Sequence, residues 1–437
     1  MRSVFLDSSR RRRRRWPRFA LAAIVLGAGV AVGAYFAFFQ KPGNVSHPNA
    51  EFTASGPPKK PKAVGDTFKW PIYGYTKQRT RYLNANIGPP FKQIWEYQAG
   101  PLIEVQPILI DGVLYFSPND GTVFAIRAKD GKELWREKVG SLNASTPAWD
   151  HGRLFVVTMS SNVTALRAKD GKRLWGRGLS APSESSPIVI DNVVYFGSQD
   201  GTVYALRAGD GSTVWTYHAG GSVKGGLAYN KGNLYFGDYS GNVTALRASD
   251  GSRVWSTGTN GRAFQQSGEF YSTPAIDHDR VFLGNTDGFV YSFTARDGQL
   301  AWRHGTGAYV YSSAAVGPGP NGTPTVFIGG YDRTFYAFDA RSGNVLWAYS
   351  APGRISGAPT LIGRVVYFAD LDTKTTTALD VQTGKQVWSF NAGIFNPAIS
   401  DGKRLYLTGF GREFAFDPQT TKQKPKSKTN VAFQKYF

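Results

Sequence analysis

In 437 residues the chain has no cysteine, two methionines and five histidines. Without cysteine there is no disulfide framework, no thiolate metal site and no cysteine nucleophile. The histidines, His47, His151, His218, His278 and His304, stand at no short metal-ligand spacing, so structural or exposed roles are expected and no metal site. GxSxG, HExxH and GxxxxGK[ST] stretches are missing, which removes support for the common hydrolase, metalloprotease and P-loop chemistries. Negative charge is scarce as well: 31 Asp and Glu face 51 Lys and Arg, for a formal charge of +20. Part of that excess is local, because residues 1–18 hold eight Arg against one Asp. The rest of the chain still favours anionic neighbours such as lipid head groups or acidic polymers.

Residues 19–39 carry no charge at all. As a helix they would measure ~31 Å, close to a hydrocarbon core of ~30 Å. Trp16 at one end and Tyr35, Phe36, Phe38 and Phe39 at the other are placed as interfacial aromatics. The arginines of residues 10–18 lie immediately before this span, which argues against a nucleic-acid arm. They orient one transmembrane helix with residues 1–18 cytoplasmic and the remainder outside the plasma membrane. A cleaved export signal would have an apolar region of about 7–15 residues, shorter than this one. Residues 40–66, with Pro42, Pro48, Pro57, Pro58 and Pro61, read as a stiff, solvated linker.

Beyond the linker, one unit is restated: VFAIRAKDGKELW at 123–135, VTALRAKDGKRLW at 163–175, VYALRAGDGSTVW at 203–215 and VTALRASDGSRVW at 243–255. Weaker copies end at Trp302, Trp347 and Trp388. Trp95, Trp135, Trp175, Trp215 and Trp255 are spaced by 40 residues, and the later intervals are 47, 45 and 41. Each period holds four short alternating runs separated by Gly/Asp turns, the pattern of a propeller blade. The tryptophans are expected to pack one blade on the next, with the glycine four residues earlier allowing close approach. Asp130, Asp170, Asp210 and Asp250 are expected as turn formers rather than metal ligands.

Complete units begin near Pro107, Pro147, Pro187, Gly226, Pro274, Ala314 and Pro359, which makes seven. Residues 397–417 supply three more strands without a closing Trp, and residues 92–98 supply a strand with Trp95 and nothing before it. Joined, they form an eighth blade that closes the ring through both termini and removes exposed edges. The expected architecture is all-β: an eight-bladed propeller of four-stranded antiparallel blades over 67–417, preceded by the anchor. Residues 418–437 follow as a basic tail.

The segment Ala378, Asp380, Thr383, Gly384 and Trp388 matches the docking pattern Ala-x-Asp-x-x-Thr-Gly-x-x-x-Trp. By this pattern the chain resembles the pyrroloquinoline quinone (PQQ)-type propeller family over residues 70–417, and 69–82 is similar to the lead-in of quinoprotein propellers. Four copies depart from it, with Arg127, Arg167, Arg207 and Arg247 at the Asp position. The resemblance implies two possible branches. Quinoprotein dehydrogenases hold the quinone and Ca²⁺ in the channel mouth with an aspartate base, most with a vicinal disulfide that this chain cannot form. The other branch is non-enzymatic and resembles the membrane-tethered outer-membrane assembly subunit.

The connection from outer strand to next blade takes 11 or 12 residues in most copies but 19 after Trp255. The longer stretch contains Arg262, Phe264, Gln265, Gln266, Glu269 and Tyr271, and the next connection brings Tyr309 and Tyr311 towards the same mouth. Mixed aromatic, amide and charged loops on a rigid scaffold are candidate binding elements. A second insertion, 317–325, is expected as a plain loop on the opposite face. With no catalytic constellation and no cofactor expected, the chain reads as a monomeric, membrane-anchored binding or scaffold module for envelope proteins or anionic polymers. A PQQ-dependent dehydrogenase and a small-ligand sensor are the alternatives.

Overall fold

The computed structural model describes residues 43–54, 67–259, 268–395 and 398–419. Contacts divide the chain into two units. The first is Met1–Gly43 with Asn260–Ser267, of which only Gly43 is described; the second is Asn44–Thr259 with Gly268–Phe437 and carries everything below. The expected anchor at 19–39 and the tail beyond Gln419 lie outside the described residues. Among those described, no helix is long and apolar enough to cross a membrane.

Eight antiparallel four-stranded blades are present. Blade 1 starts at Ile108–Ile110, and the innermost strands of blades 2 to 7 are Ala148–Asp150, Ile188–Ile190, Ala228–Asn230, Ala275–Asp277, Ala315–Pro318 and Thr360–Ile362. Blade 8 combines Ala398–Ser400, Leu405–Thr408 and Arg412–Pro418 with Phe91–Gln98 as its outer strand. Trp95 pairs with Ala415 there, as Trp215 pairs with Ala205 within blade 3. A ring closed this way leaves no blade-to-blade edge to template aggregation.

The recurrent tryptophans join successive blades. Indole N–H groups of Trp95, Trp135, Trp175 and Trp215 donate to the carbonyls of Ala128, Ala168, Ala208 and Ala248 in the following blade at 3.0–3.1 Å. Trp255, Trp302 and Trp347 do the same to Ala295, Ala340 and Val381. Trp388, at the last seam, packs edge-on against Phe91 and Phe416. The other seven rings each lie under a turn glycine of the next blade. A Cβ on Gly171, whose φ is +74°, would stand 2.6 Å from the Trp135 ring. Three of the four arginines that replace the docking Asp pair with the turn's own aspartate, Arg127 with Asp130, Arg167 with Asp170 and Arg247 with Asp250, while Arg207 donates to the Ser212 hydroxyl. The Asp of the fuller pattern, Asp380, instead caps the turn through the amides of Gln382 and Thr383.

Two segments before the blades behave differently from a plain lead-in. Val45–Ser46 adds a fifth strand to the outer edge of blade 5, and Arg280 holds the carbonyls of Ala50 and Glu51 while Phe52 stacks on His278. That part of 40–66 is therefore docked rather than a solvated spacer, because an open outer edge can take a strand wherever proline spares two ladder residues. Residues 69–83 coil inside the ring. They pair with blade 1 through Lys69 and Trp70 and with blade 7 through Tyr82 and Leu83. Carbonyls of Pro71, Lys77, Gln78 and Thr80 accept from the innermost strands of blades 2, 4, 5 and 6. Tight coiling places Tyr75, Arg79 and Arg81 in the left-handed region, at φ 72°, 58° and 54°, a conformation that costs about 1–2 kcal/mol per residue.

Candidate functional site

The coil plugs the channel, and its centre is Arg79. This side chain is fully buried and donates to the main-chain carbonyls of Tyr73, Ser186, Pro187 and Leu227. Burial and the neighbouring Arg81 lower its pKa to about 9, which leaves it charged at neutral pH. Arg81, equally buried, donates to Arg79 and Ala314 carbonyls and lies 4.6 Å from the Tyr73 ring centre. Tyr73 in turn forms part of the floor of a cavity of about 560 Å³. Pocket-sized cavities with a few convergent polar groups are where ligands bind.

One position in the repeat builds the wall. The residue four places before the innermost strand lines the cavity in each of blades 1 to 7: Glu104, Ala144, Glu184, Lys224, Tyr271, Tyr311 and Ser356. The connections bring these positions together because each crosses the same end of the ring before dropping into its blade. Blade 8 contributes Phe395. Tyr239 and Tyr331, from turns between second and third strands, and Tyr309 complete an aromatic arc. Ring centres along it are 6.4 Å apart for Tyr239 and Tyr271, 5.8 Å for Tyr271 and Tyr311, and 5.0 Å for Tyr311 and Tyr331.

Opposite polarity meets at Glu184. Its carboxylate accepts from the Tyr271 hydroxyl at 2.9 Å and the Gln199 amide at 2.6 Å, and stands 3.2 Å from Lys224 Nζ. Lys224 also sits 5.0 Å from the Tyr239 ring centre. Arg354 covers Tyr331 at 5.6 Å and is engaged by Asp372 at 2.7 Å. Burial, then the charge of Glu184, raise the Glu104 pKa, against a hydrogen bond from Asn119. Burial and Glu184 likewise push the Tyr271 hydroxyl well above 10, and burial, Glu184 and Glu269 raise Tyr239.

Of the residues singled out from sequence, Tyr271, Tyr309 and Tyr311 lie together in this wall. Glu269 is outside the lining, though its charge reaches Tyr239 and Tyr311. Arg262, Phe264, Gln265 and Gln266 lie outside the described residues. The 317–325 insertion is on the opposite face, where Gly317, Pro318 and Gly322 border a separate cavity with Thr76 and Gln78. Sequence reasoning missed Tyr73, Glu104, Glu184, Lys224, Tyr239 and Tyr331. For Glu104, Glu184 and Lys224 the available signal was the single position that changes chemistry from copy to copy inside otherwise repetitive connections.

A quinone with Ca²⁺ does not fit these residues. Ca²⁺ takes 6–8 oxygen ligands, and among the described residues no three His, Asp or Glu side chains converge as a metal would need.

Closed eight-bladed rings with tryptophan-docked seams and a mouth at one end define the PQQ-type propellers. The family model described as outer membrane protein assembly factor BamB matches residues 119–288, 199–316 and 286–429, and the chain belongs to that family. Among solved structures, BamB from Moraxella catarrhalis superposes with a TM-score of 0.62 at 18% identity, covering 75% of this chain and 100% of that one. A europium-containing methanol dehydrogenase gives 0.66 at 15% identity, covering 80% and 98%. Quinohemoprotein alcohol dehydrogenase from Comamonas testosteroni gives 0.67 at 14%, covering 81% of each chain. At such identities the likeness is one of fold. A search of curated proteins found no match by sequence.

Proposed function

We propose that the protein is a non-catalytic binding module of the cell envelope, held at the plasma membrane by residues 19–39, with its ligand taken at the tyrosine-lined mouth. The observation that carries this is the concentration of six tyrosines, from five different stretches of chain, around one cavity whose lower end is plugged. Tyrosine presents a large contact area with only two side-chain torsions to freeze, which suits recognition rather than packing. Tyr309 is 53% exposed, an open face that no blade needs for its own core. Membership of a family described as an assembly factor supports an envelope partner. The groups that could act in catalysis are tied into the wall: Glu184 holds Tyr271, Gln199 and Lys224, and Arg354 holds Asp372.

Photo-crosslinking amino acids at positions 309 and 311, activated in living cells, should give discrete adducts, while the same probe at Val254 on the outer strand of blade 4 should not. Equal or absent labelling at all three positions refutes binding at the mouth.

A further inference from the structure

The geometry points to an organic cation, an alkylammonium or guanidinium group, as what the mouth receives. This rests on the mouth being the binding site and names the chemistry of its ligand. Three observations carry it. First, the wall already holds a cation in this manner: Lys224 Nζ is bracketed by the Glu184 carboxylate at 3.2 Å and the Tyr239 ring at 5.0 Å. Aromatic faces and carboxylates together bind ammonium groups through the ring quadrupole and direct charge pairing. Second, the same two group types recur within the cavity beyond that pair, with Glu104 on blade 1 and the rings of Tyr271, Tyr309 and Tyr311 on blades 5 and 6. Third, the local charge runs against that of the whole molecule. The lining carries Glu104 and Glu184 against Lys224 and Arg354, but Arg354 is matched by Asp372 outside the lining. With Glu269 at the margin, carboxylates at the mouth outnumber the cations of the lining in a protein with formal charge +20.

The two buried arginines do not reverse this sign in the upper cavity. Arg79 is wrapped by four carbonyl dipoles, and Arg81 lies beneath Tyr73. The charges that act on Tyr239 and Tyr271 come from Glu184, Glu269 and Glu104. An anionic polymer would meet these carboxylates at the mouth, so any attraction to the basic exterior is a separate matter from what enters here.

The group could come from a free amine or from a lysine or arginine displayed on a partner's loop. Calorimetry on the purified full chain distinguishes them, using cadaverine and agmatine in one arm and, in the other, the N-acetylated, C-amidated pentapeptides GGKGG, GGRGG, GGQGG and GGEGG, whose only charge is on the central side chain. The expected result is that GGKGG or GGRGG binds at least about tenfold more tightly than GGQGG, with GGEGG weakest. Binding by cadaverine or agmatine at equal strength assigns a free amine; peptide-only binding assigns a displayed side chain. Glu104→Gln should weaken the cationic ligands about tenfold without weakening GGQGG, whereas Glu137→Gln on the outer strand of blade 1, which removes the same charge elsewhere, should not. Unchanged near-ultraviolet circular dichroism of both variants guards against misfolding. Equal binding of GGKGG and GGQGG, tighter binding of GGEGG, or no binding by any cation overturns the assignment. Crosslinks from positions 309 and 311 in the face of that result would leave the mouth as a binding site for another chemistry; loss of both results would remove the site itself.

Discussion

Glu413 offers a quantitative test of how the ring is closed. It lies two residues before Ala415, the partner of Trp95, and the corresponding positions in blades 1 to 4 are Val123, Val163, Val203 and Val243. An ionisable group thus occupies a place the repeat fills with an aliphatic one. It is completely buried, Thr408 Oγ1 donates to it at 3.1 Å, and burial drives its pKa well above 4.5. The native state therefore keeps the proton at pH values where the unfolded chain has released it. Below 4.5 both states are protonated and Glu413 adds no pH dependence; above it, stability falls as pH rises, until the folded pKa is passed and the loss is complete. Within that window the slope is one proton, about 1.4 kcal/mol per pH unit. Glu413→Gln keeps the shape and the bond with Thr408 but cannot ionise. Urea unfolding from pH 5 to pH 8 should show wild type and variant converging at the acid end. The variant should gain by up to about 1.4 kcal/mol for each unit above it. Glu104 titrates in the same direction in both proteins and cancels in the difference. Parallel stability curves would refute an uncharged, buried Glu413.

Other expectations follow from the seams, the plug and the mouth. Gly171→Ala should cost about 2–4 kcal/mol, from its left-handed φ and the collision with Trp135, against about 1–2 for Gly152→Ala, whose φ is +78° but whose Cβ would meet nothing within 4 Å; equal losses by chemical denaturation would deny the packing role. Arg79→Met should lower stability by about 2–4 kcal/mol through orphaned carbonyls and speed amide hydrogen exchange in 69–83, while unchanged exchange there would mean the plug does not depend on that side chain. Amine binding at the mouth should weaken as pH falls through the raised titration of Glu104, which faces Glu184 and Asn119 with Lys224 and Tyr271 beyond. Calorimetry between pH 4 and pH 8 checks this, and a flat profile counts against Glu104 as a contact.

Much of the fold was legible because one residue marks it. The 40-residue spacing of tryptophans set the blade, and the unattached strand around Trp95 announced the closing pair with residues 412–418. The mouth was legible only in part. Tyr271, Tyr309 and Tyr311 were reachable because an extra-long connection drew notice, but Glu104, Glu184 and Lys224 sit in connections of ordinary length. They matter through a shared register relative to the innermost strand, a relation that appears only once the ring brings separate copies side by side. The plug was hidden for another reason. Its order comes from backbone hydrogen bonds to six blades, and no local periodicity in 69–83 signals bonds made so far along the chain.

The plug also imposes an order of events on biogenesis. Residues 69–83 precede every blade, yet the Arg81 carbonyl accepts from Leu361, so a stretch made early must wait for one made nearly last. Contacts across some 280 residues fold slowly, since the intervening chain must be gathered before they form. Until blades 3, 4 and 6 exist, the two arginines lack their carbonyl cage, and until blade 7 exists the end of the plug at Tyr82 and Leu83 has no strand to pair with. Binding competence would then be acquired late and all at once, and a chain truncated before residue 360 would possess most of the mouth's side chains without a cavity to put them in.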